Sequence, residues 1–441
     1  MKFILPNQGG AMVHSNPQQT DNINLPIPES NVDIIWVKND LKGEQAGTIG
    51  NGIAGNGTIA ANTFNGSSDN LIIYDYYGKR IWKSGSLLNP TATTSTPMVS
   101  RDKENLVVAC DNKSILLVSP FDNEYSDRNY IVWHSILKKH PKKQIPFSPT
   151  IINDNIIFLP TNESIYAFDV ESGVKLAEKK LFADKKNKEN GYFGTINSAC
   201  VYKKRIYLAT ESSVRSQPPC SRLYAIDINI KEDKKDFFKI AWYFPFIGRS
   251  QASPLYINGT IYFDGYMPMM GIPRIQKSYI YALQDFGDYY RVYRRSHPYK
   301  TWFSFSKDPR GGFWYEDAYK KRLVHFILED GRINFVEEIY IKNLVGGMLN
   351  IYRPMSCMTI CGGIKKPIML ISSFSLWPRQ YLFAVNLKEN NSKLWGITVD
   401  NFGWNYPGGQ FTILNKHNGP RSPRILFGTY FDGVVAIGEK E

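Results

Sequence analysis

One β-rich unit is written eight times along this chain, at intervals of about fifty residues. The clearest copy runs Ser148-Pro-Thr-Ile-Ile-Asn-Asp-Asn-Ile-Ile-Phe-Leu-Pro-Thr-Asn-Glu-Ser-Ile-Tyr-Ala-Phe-Asp-Val-Glu-Ser-Gly173. A second runs Ser253-Pro-Leu-Tyr-Ile-Asn-Gly-Thr-Ile-Tyr-Phe-Asp264 and closes with Tyr279-Ile-Tyr-Ala-Leu-Gln-Asp285. Short runs of Ile, Val, Tyr and Phe alternate with Asn, Gly and Asp turns, which is the pattern of strands joined by hairpins. Asn-Gly in Ile257-Asn258-Gly259-Thr260 and at Asn56-Gly57 is the strongest short hairpin signal. No segment carries a long apolar stripe at helical spacing, so helix is expected to be minor.

The units begin near Asn51, Thr96, Ser148, Asn197, Ser253, Ser304, Pro354 and Gly409. A four-stranded antiparallel sheet fits that length, and a ring of such sheets is a β-propeller. The eighth unit is one strand short, while an unassigned strand, Val32-Asp-Ile-Ile-Trp-Val37, precedes the first unit. Pairing the two closes the ring and removes two open edges. The expected fold is therefore all-β: an eight-bladed β-propeller of four-stranded antiparallel blades, with the N-terminal strand completing the last. Seven blades is the alternative, because the unit around Phe303 to Glu338 diverges most. Residues 1–30, polar and rich in Asn, Gln and Pro, read as an irregular, mobile lead-in; residues 31–441 read as one propeller domain. Its 43% hydrophobic and 14% aromatic content suits sheet-on-sheet packing.

The pattern resembles the quinoprotein alcohol dehydrogenase-like (PQQ-like repeat) propeller superfamily, whose tryptophan-docking repeat runs Ala-x-Asp, then Thr-Gly, then a Trp packed between blades. Ala167-Phe-Asp169-Val-Glu-Ser172-Gly173 matches, with Ala177 where the Trp belongs. Ala384-Val-Asn386 leads to Trp395 one residue late, Ala225-Ile-Asp227 leads to Trp242 after an insertion, and Asp75 leads through Gly78 to Trp82. The resemblance covers the chain from about Val32. It implies the fold more than a function, since the superfamily holds quinone-dependent dehydrogenases as well as non-catalytic assembly lipoproteins. The adjacent cysteine pair of the methanol dehydrogenase-like enzymes is absent, as is a Cys-x-x-Cys-His haem motif.

The formal net charge is +13. Basic clusters at Lys138–Lys143, Lys185–Lys188 and Lys231–Lys235 suit an acidic partner or surface, or are ordinary solvated loops. No nucleic-acid-binding motif accompanies them, and nucleic acid is not expected. No transmembrane run is present. Met1-Lys-Phe-Ile-Leu-Pro lacks a following apolar region, so the protein is expected to be cytoplasmic if this N-terminus is native, and periplasmic or extracellular otherwise. Five cysteines are too few for a disulfide scaffold. Cys110 and Cys200 sit in apolar strands and should be core, and Cys220 should be the exposed thiol. Cys357 and Cys361, if on one strand, lie about 13 Å apart, too far for a disulfide.

No nucleophile elbow, P-loop or zinc-protease motif appears, and the six histidines are scattered singly, with no spacing that suggests a metal. The residues just before each first strand should face the channel mouth. There Arg249, Gln251, Trp302, Arg353 and Trp404 either plug the channel or stack on a planar ligand and clasp a carboxylate. Asp308 is the one catalytic candidate, because the resembling dehydrogenases use an Asp near the channel. Two inserted loops, Ser212–Ser221 and the Met-rich Tyr266–Lys277, are either contact surfaces or lids. The expected function is a non-catalytic protein–protein interaction scaffold working through face loops, with no cofactor. The alternative is a quinone- or small-ligand-binding oxidoreductase that holds pyrroloquinoline quinone at the channel mouth.

Overall fold

The computed structural model describes residues 12–38, 53–55, 58–62, 71–88, 95–100, 106–119, 130–137, 145–183, 191–214, 220–230, 236–250, 252–265, 278–297, 304–317, 320–345, 353–354, 358–374, 381–398, 407–414, 423–429 and 433–440. Eight separate antiparallel sheets follow one another along the chain. Blade 1 is built from Ile53–Gly55, Thr58–Asn62, Leu71–Tyr74 and Arg80–Lys83, and blade 2 from Met98–Val99, Val107–Cys110, Ser114–Val118 and Ile131–Ile136. Blade 3 uses Thr150–Ile152, Ile156–Pro160, Ile165–Asp169 and Lys175–Lys179. In blade 4 the first strand is split into Phe193–Thr195 and Cys200–Tyr202, followed by Arg205–Ser212, Cys220–Ile228 and Phe238–Ile247. Blade 5 is Leu255–Ile257, Thr260–Gly265, Ser278–Asp285 and Tyr290–His297; blade 6 is Ser306–Lys307, Phe313–Asp317, Arg322–Glu329 and Arg332–Tyr340. Blade 7 is Thr359–Cys361, Ile368–Phe374, Tyr381–Asn386 and Ser392–Thr398, with Arg353–Pro354 and Asn22–Ile23 added. Blade 8 is Pro407–Leu414, Arg424–Thr429 and Val434–Glu439, completed by Val32–Lys38.

The ring closes as the sequence predicts, with eight blades and not seven. Val32 lies opposite Glu439 and Lys38 opposite Val434 in an antiparallel pair. Among the described residues the helices are Ile341–Val345 and a 3₁₀ turn at Gly85–Leu87, and no helix is long and apolar enough to cross a membrane.

The core is not one mass but eight apolar clusters, each filling the gap between two consecutive blades. Blades 2 and 3, for example, share Val108, Leu117, Ile157 and Phe168, and blades 6 and 7 share Trp314, Leu323, Leu370's neighbour Ile371 and Phe383. Strand alternation makes this work. In blade 2, Leu116 faces blade 1 while Leu117 faces blade 3.

One register recurs. In four blades the Ala of the third strand stands opposite an aromatic residue of the outer strand: Ala225 opposite Trp242, Ala384 opposite Trp395, Ala436 opposite Trp36 and, with Tyr in place of Trp, Ala282 opposite Tyr293; in blade 3, Ala167 faces Ala177. In the three Trp pairs a bulge falls beside the pair and turns the outer strand. The small Ala leaves room for the indole. In blade 2 the indole of Trp133, opposite Leu117, donates to the Val170 carbonyl of blade 3 at 2.7 Å and lies against Gly173. The Asp of the motif folds the turn that presents that glycine: Asp169 accepts the Glu171 and Ser172 N–H groups, as Asp75 accepts those of Tyr77 and Lys79.

Gly173 has φ +66°, and a Cβ there would overlap the Trp133 ring. Gly173→Ala is expected to cost roughly 2–4 kcal/mol in urea unfolding. Gly259→Ala, at φ +84° with open space around it, should cost about 1 kcal/mol from backbone strain alone. Equal losses at the two positions would mean that Trp docking adds nothing.

Candidate functional site: the central channel and its N-terminal belt

Residues 12–31 are irregular for most of their length, yet much of the segment is buried. They run along the inner strands of successive blades. Val201 of blade 4 donates its N–H to the Pro17 carbonyl, Tyr256 of blade 5 to Gln18, Lys307 of blade 6 to Thr20 and Ile360 of blade 7 to Asp21. Asn22–Ile23 then pairs in parallel with Ile360–Cys361, and Trp395 donates to the Pro28 carbonyl as the chain passes outward to close blade 8. At the other end of the belt, Met12 packs among side chains of blades 2 and 3. The central channel therefore holds the chain's own segment.

The path needs left-handed backbone at five positions, three of which carry the His, Asp and Asn side chains that adopt it most readily. His14, Ser15, Gln19, Asp21 and Asn31 all have positive φ, between 46° and 72°. Asn16 locks the turn by accepting the Thr20 N–H and donating to the Thr20 hydroxyl.

At the centre of the belt, His14 Nδ1 lies 2.6 Å from Asp21 Oδ2, and His14 Nε2 lies 3.0 Å from Ser304 Oγ of blade 6. With Nδ1–H donating to the carboxylate, Nε2 accepts the serine hydroxyl. Ser304 Oγ also accepts the Ser253 N–H of blade 5 at 2.9 Å. Serine, imidazole and carboxylate stand in the order of a nucleophilic relay. All three are buried here, and the hydroxyl oxygen is shared with a backbone donor, so the chain of bonds ties belt to blades. Burial raises the Asp21 carboxyl above its usual range, against the opposing pull of His14. The folded value is raised, so ionised Asp21 opposes folding above its unfolded pKa, and that cost is relieved as pH falls through the folded value. Asp21→Asn tolerates the left-handed backbone and keeps a bond to His14; it should lie within about 1 kcal/mol of the parent at neutral pH and lose ground against it in acid. Asp21→Ala should cost about 2–4 kcal/mol by removing the carboxylate that faces the buried His14 Nδ1. Equal stability of all three proteins in chemical denaturation would exclude the tie.

The residues expected at the mouth are placed as follows. Arg249 is half exposed and pairs with Glu211 at 2.9 Å, so one expected ligand clamp is engaged within the protein. Arg353 pairs through its backbone with Phe374. Gln251, Trp302 and Trp404 lie outside the described residues, as do the three basic clusters and the loop Tyr266–Lys277. Cys110, Cys200 and Cys361 are buried free thiols whose pKa burial pushes up, to about 12 for Cys110; Cys220 is exposed. Cys357 lies outside the described residues.

Asp308 stands just past the end of the first strand of blade 6. It accepts the Arg310 N–H at 2.7 Å, the Arg310 guanidinium and the Trp314 indole at 2.7 Å. Arg310 goes on to Glu337 at 2.6 Å and to the Leu387 carbonyl of blade 7. His325 stacks on Trp314 and donates to the Gly311 carbonyl at 2.7 Å. A second ionic knot joins blades 4 and 5, where Arg205 holds Asp227 and, in the next blade, Asp285 and the Gly287 carbonyl. Arg424 of blade 8 similarly reaches the Tyr76 carbonyl of blade 1 at 2.7 Å. Sequence reading missed the belt, the two buried histidines and these arginine ties.

No family model and no curated protein matches this chain. Among solved structures it is similar to the WD40 domain of coronin from Toxoplasma gondii, at 10% identity and a TM-score of 0.43, over 95% of this chain and 89% of that one.

Proposed function

We propose that this chain is a non-catalytic propeller of the PQQ-like repeat type that serves as a protein–protein interaction scaffold through loops on one face. The observation that carries the reading is the belt: residues 17–23 lie along the inner strands of blades 4 to 7, on the side that faces the central channel. The Ala–Trp register and the docking of Trp133 on Gly173 support the repeat type. Two clusters of ionisable groups, around Asp285 and around Asp308, join neighbouring blades. The reading calls for no cofactor. Partners are expected to be proteins, met through loops whose lysines make them reactive to amine cross-linkers.

The test is cross-linking mass spectrometry on protein isolated from its source, combined with native mass and an ultraviolet–visible spectrum. A stoichiometric protein partner cross-linked to loop lysines of one face is the expected result. A tightly held small molecule with quinone absorbance, and no partner, would replace the scaffold with the oxidoreductase reading.

A further inference from the structure

Asp308, His325 and Glu337 bring one ligand atom each within 4.8 Å of one another in blade 6. Asp308 and His325 are buried, and Glu337 is half-buried. His325 Nδ1 is buried, with Glu337 Oε1 3.4 Å away and outside good hydrogen-bond geometry, and its Nε2 lies 3.7 Å from Asp308 Oδ2. The other ring nitrogen, Nε2, donates to the Gly311 carbonyl, so in the neutral ring Nδ1 carries the lone pair. A lone pair next to a carboxylate oxygen is a repulsive arrangement that either a proton on Nδ1 or a cation between the two relieves.

We propose that these three side chains form a site for one divalent cation of the zinc class, with Arg310 as the built-in occupant that the metal displaces. Three features support it. The first is the outer shell. Metal-binding histidines donate their second N–H to a carbonyl, and ligating carboxylates are themselves held by donors. Here Gly311 O takes the His325 N–H, the Trp314 indole holds Asp308, and Asn391 of blade 7 holds Glu337 at 2.7 Å. The second is spacing. Zinc–ligand bonds of about 2.0–2.1 Å in a tetrahedron put ligand atoms roughly 3.3 Å apart, and His325 Nδ1 and Glu337 Oε1 are already 3.4 Å apart. The third is charge. One guanidinium bridges two carboxylates, at 2.7 Å and 2.6 Å. A dication in its place neutralises both, and Arg310, 28% exposed, can turn out to solvent. Mixed imidazole and carboxylate donors favour zinc over magnesium. Water completes the fourth position.

The experiment uses the full chain without a histidine tag, in a Cys220→Ser background so that the exposed thiol cannot bind metal. Zinc chloride is titrated calorimetrically into this protein and into its Arg310→Gln and Glu337→Gln derivatives, each checked for its circular dichroism spectrum. The expected result is one zinc per chain, at least tenfold tighter binding for Arg310→Gln, at least tenfold weaker binding for Glu337→Gln, and no competition from millimolar magnesium. X-ray absorption of the zinc form of Arg310→Gln should show nitrogen and oxygen neighbours and no sulfur, a readout that holds even if Glu337→Gln fails to fold. Absence of stoichiometric zinc in Arg310→Gln, sulfur in its coordination shell, or equal affinity in a folded Glu337→Gln would overturn the site.

Discussion

A chain lacking residues 1–38 is expected to lose the folded monomer, with soluble monomer on size exclusion falling at least tenfold. Two structures go with that deletion. Val32–Lys38 is the outer strand of blade 8, so its loss uncovers the Val434–Glu439 edge and strips Trp36 from the cluster between blades 8 and 1. An open, apolar edge recruits other chains. The belt goes too, leaving the inner N–H groups of Val201, Tyr256, Lys307 and Ile360 without their carbonyls and uncovering the site of Met12 and Ile23. A permuted chain separates the two effects. Asn31–Lys38 appended after Lys440 through an Asn-Gly turn restores the strand, because Lys440 already donates to the Asn31 carbonyl. That protein should be a folded monomer, destabilised by a few kcal/mol, since each belt hydrogen bond contributes about 1 kcal/mol and each buried apolar side chain about 1.5–3 kcal/mol before the ordering entropy is deducted. A soluble monomer of unchanged melting temperature from the simple deletion would rule out closure by the N-terminal segment.

The closing strand was legible because Val32-Asp-Ile-Ile-Trp-Val37 is a short apolar run outside the repeats and has a counterpart gap in the eighth one. The Trp positions were legible only in part. By spacing, Trp395 comes a residue late and Trp242 follows an insertion, yet both face their Ala once the hairpin forms, because turn length and a bulge absorb the difference. The belt was hidden for a different reason. It is held largely by backbone hydrogen bonds to inner strands, and these leave no side-chain pattern; isolated Met12, Val13, Ile23 and Ile27 among turn-forming residues were the one signal available. The arginine ties are hidden by distance. Arg205 and Asp285 are 80 residues apart in sequence, and only the register of two neighbouring blades brings them together. Asp308 drew attention through its family counterpart alone; its partners Trp314, His325 and Glu337 come from three different strands.

Asp285→Ala is the point change expected to cost most, about 3–5 kcal/mol in urea unfolding. Asp285 is 8% exposed and gathers the Arg205 guanidinium, the Tyr207 hydroxyl at 2.6 Å, the Trp242 indole at 3.1 Å and the Gly287 N–H at 2.9 Å. Removing the carboxylate leaves those donors buried against nothing, and Arg205 keeps only Asp227 and one carbonyl. Burial alone would raise the Asp285 carboxyl; hydrogen bonds from Tyr207, Arg205, Gly287 and Trp242 outweigh it and hold the carboxyl below its usual range. Because the folded value is depressed, this stabilisation is present above the unfolded pKa near 3.8 and is lost as pH falls through the lower folded value. The parent and Asp285→Ala should therefore differ most at neutral pH and converge in strong acid. Arg205→Lys is a sharper probe of geometry, since an ammonium cannot hold Asp227 through two parallel bonds while reaching Asp285 in the next blade. It should lose most of what Asp285→Ala loses, and the double variant should cost less than the sum of the two. Strict additivity would show that Arg205 and Asp285 act independently and that the tie between blades 4 and 5 rests on their shared apolar cluster alone.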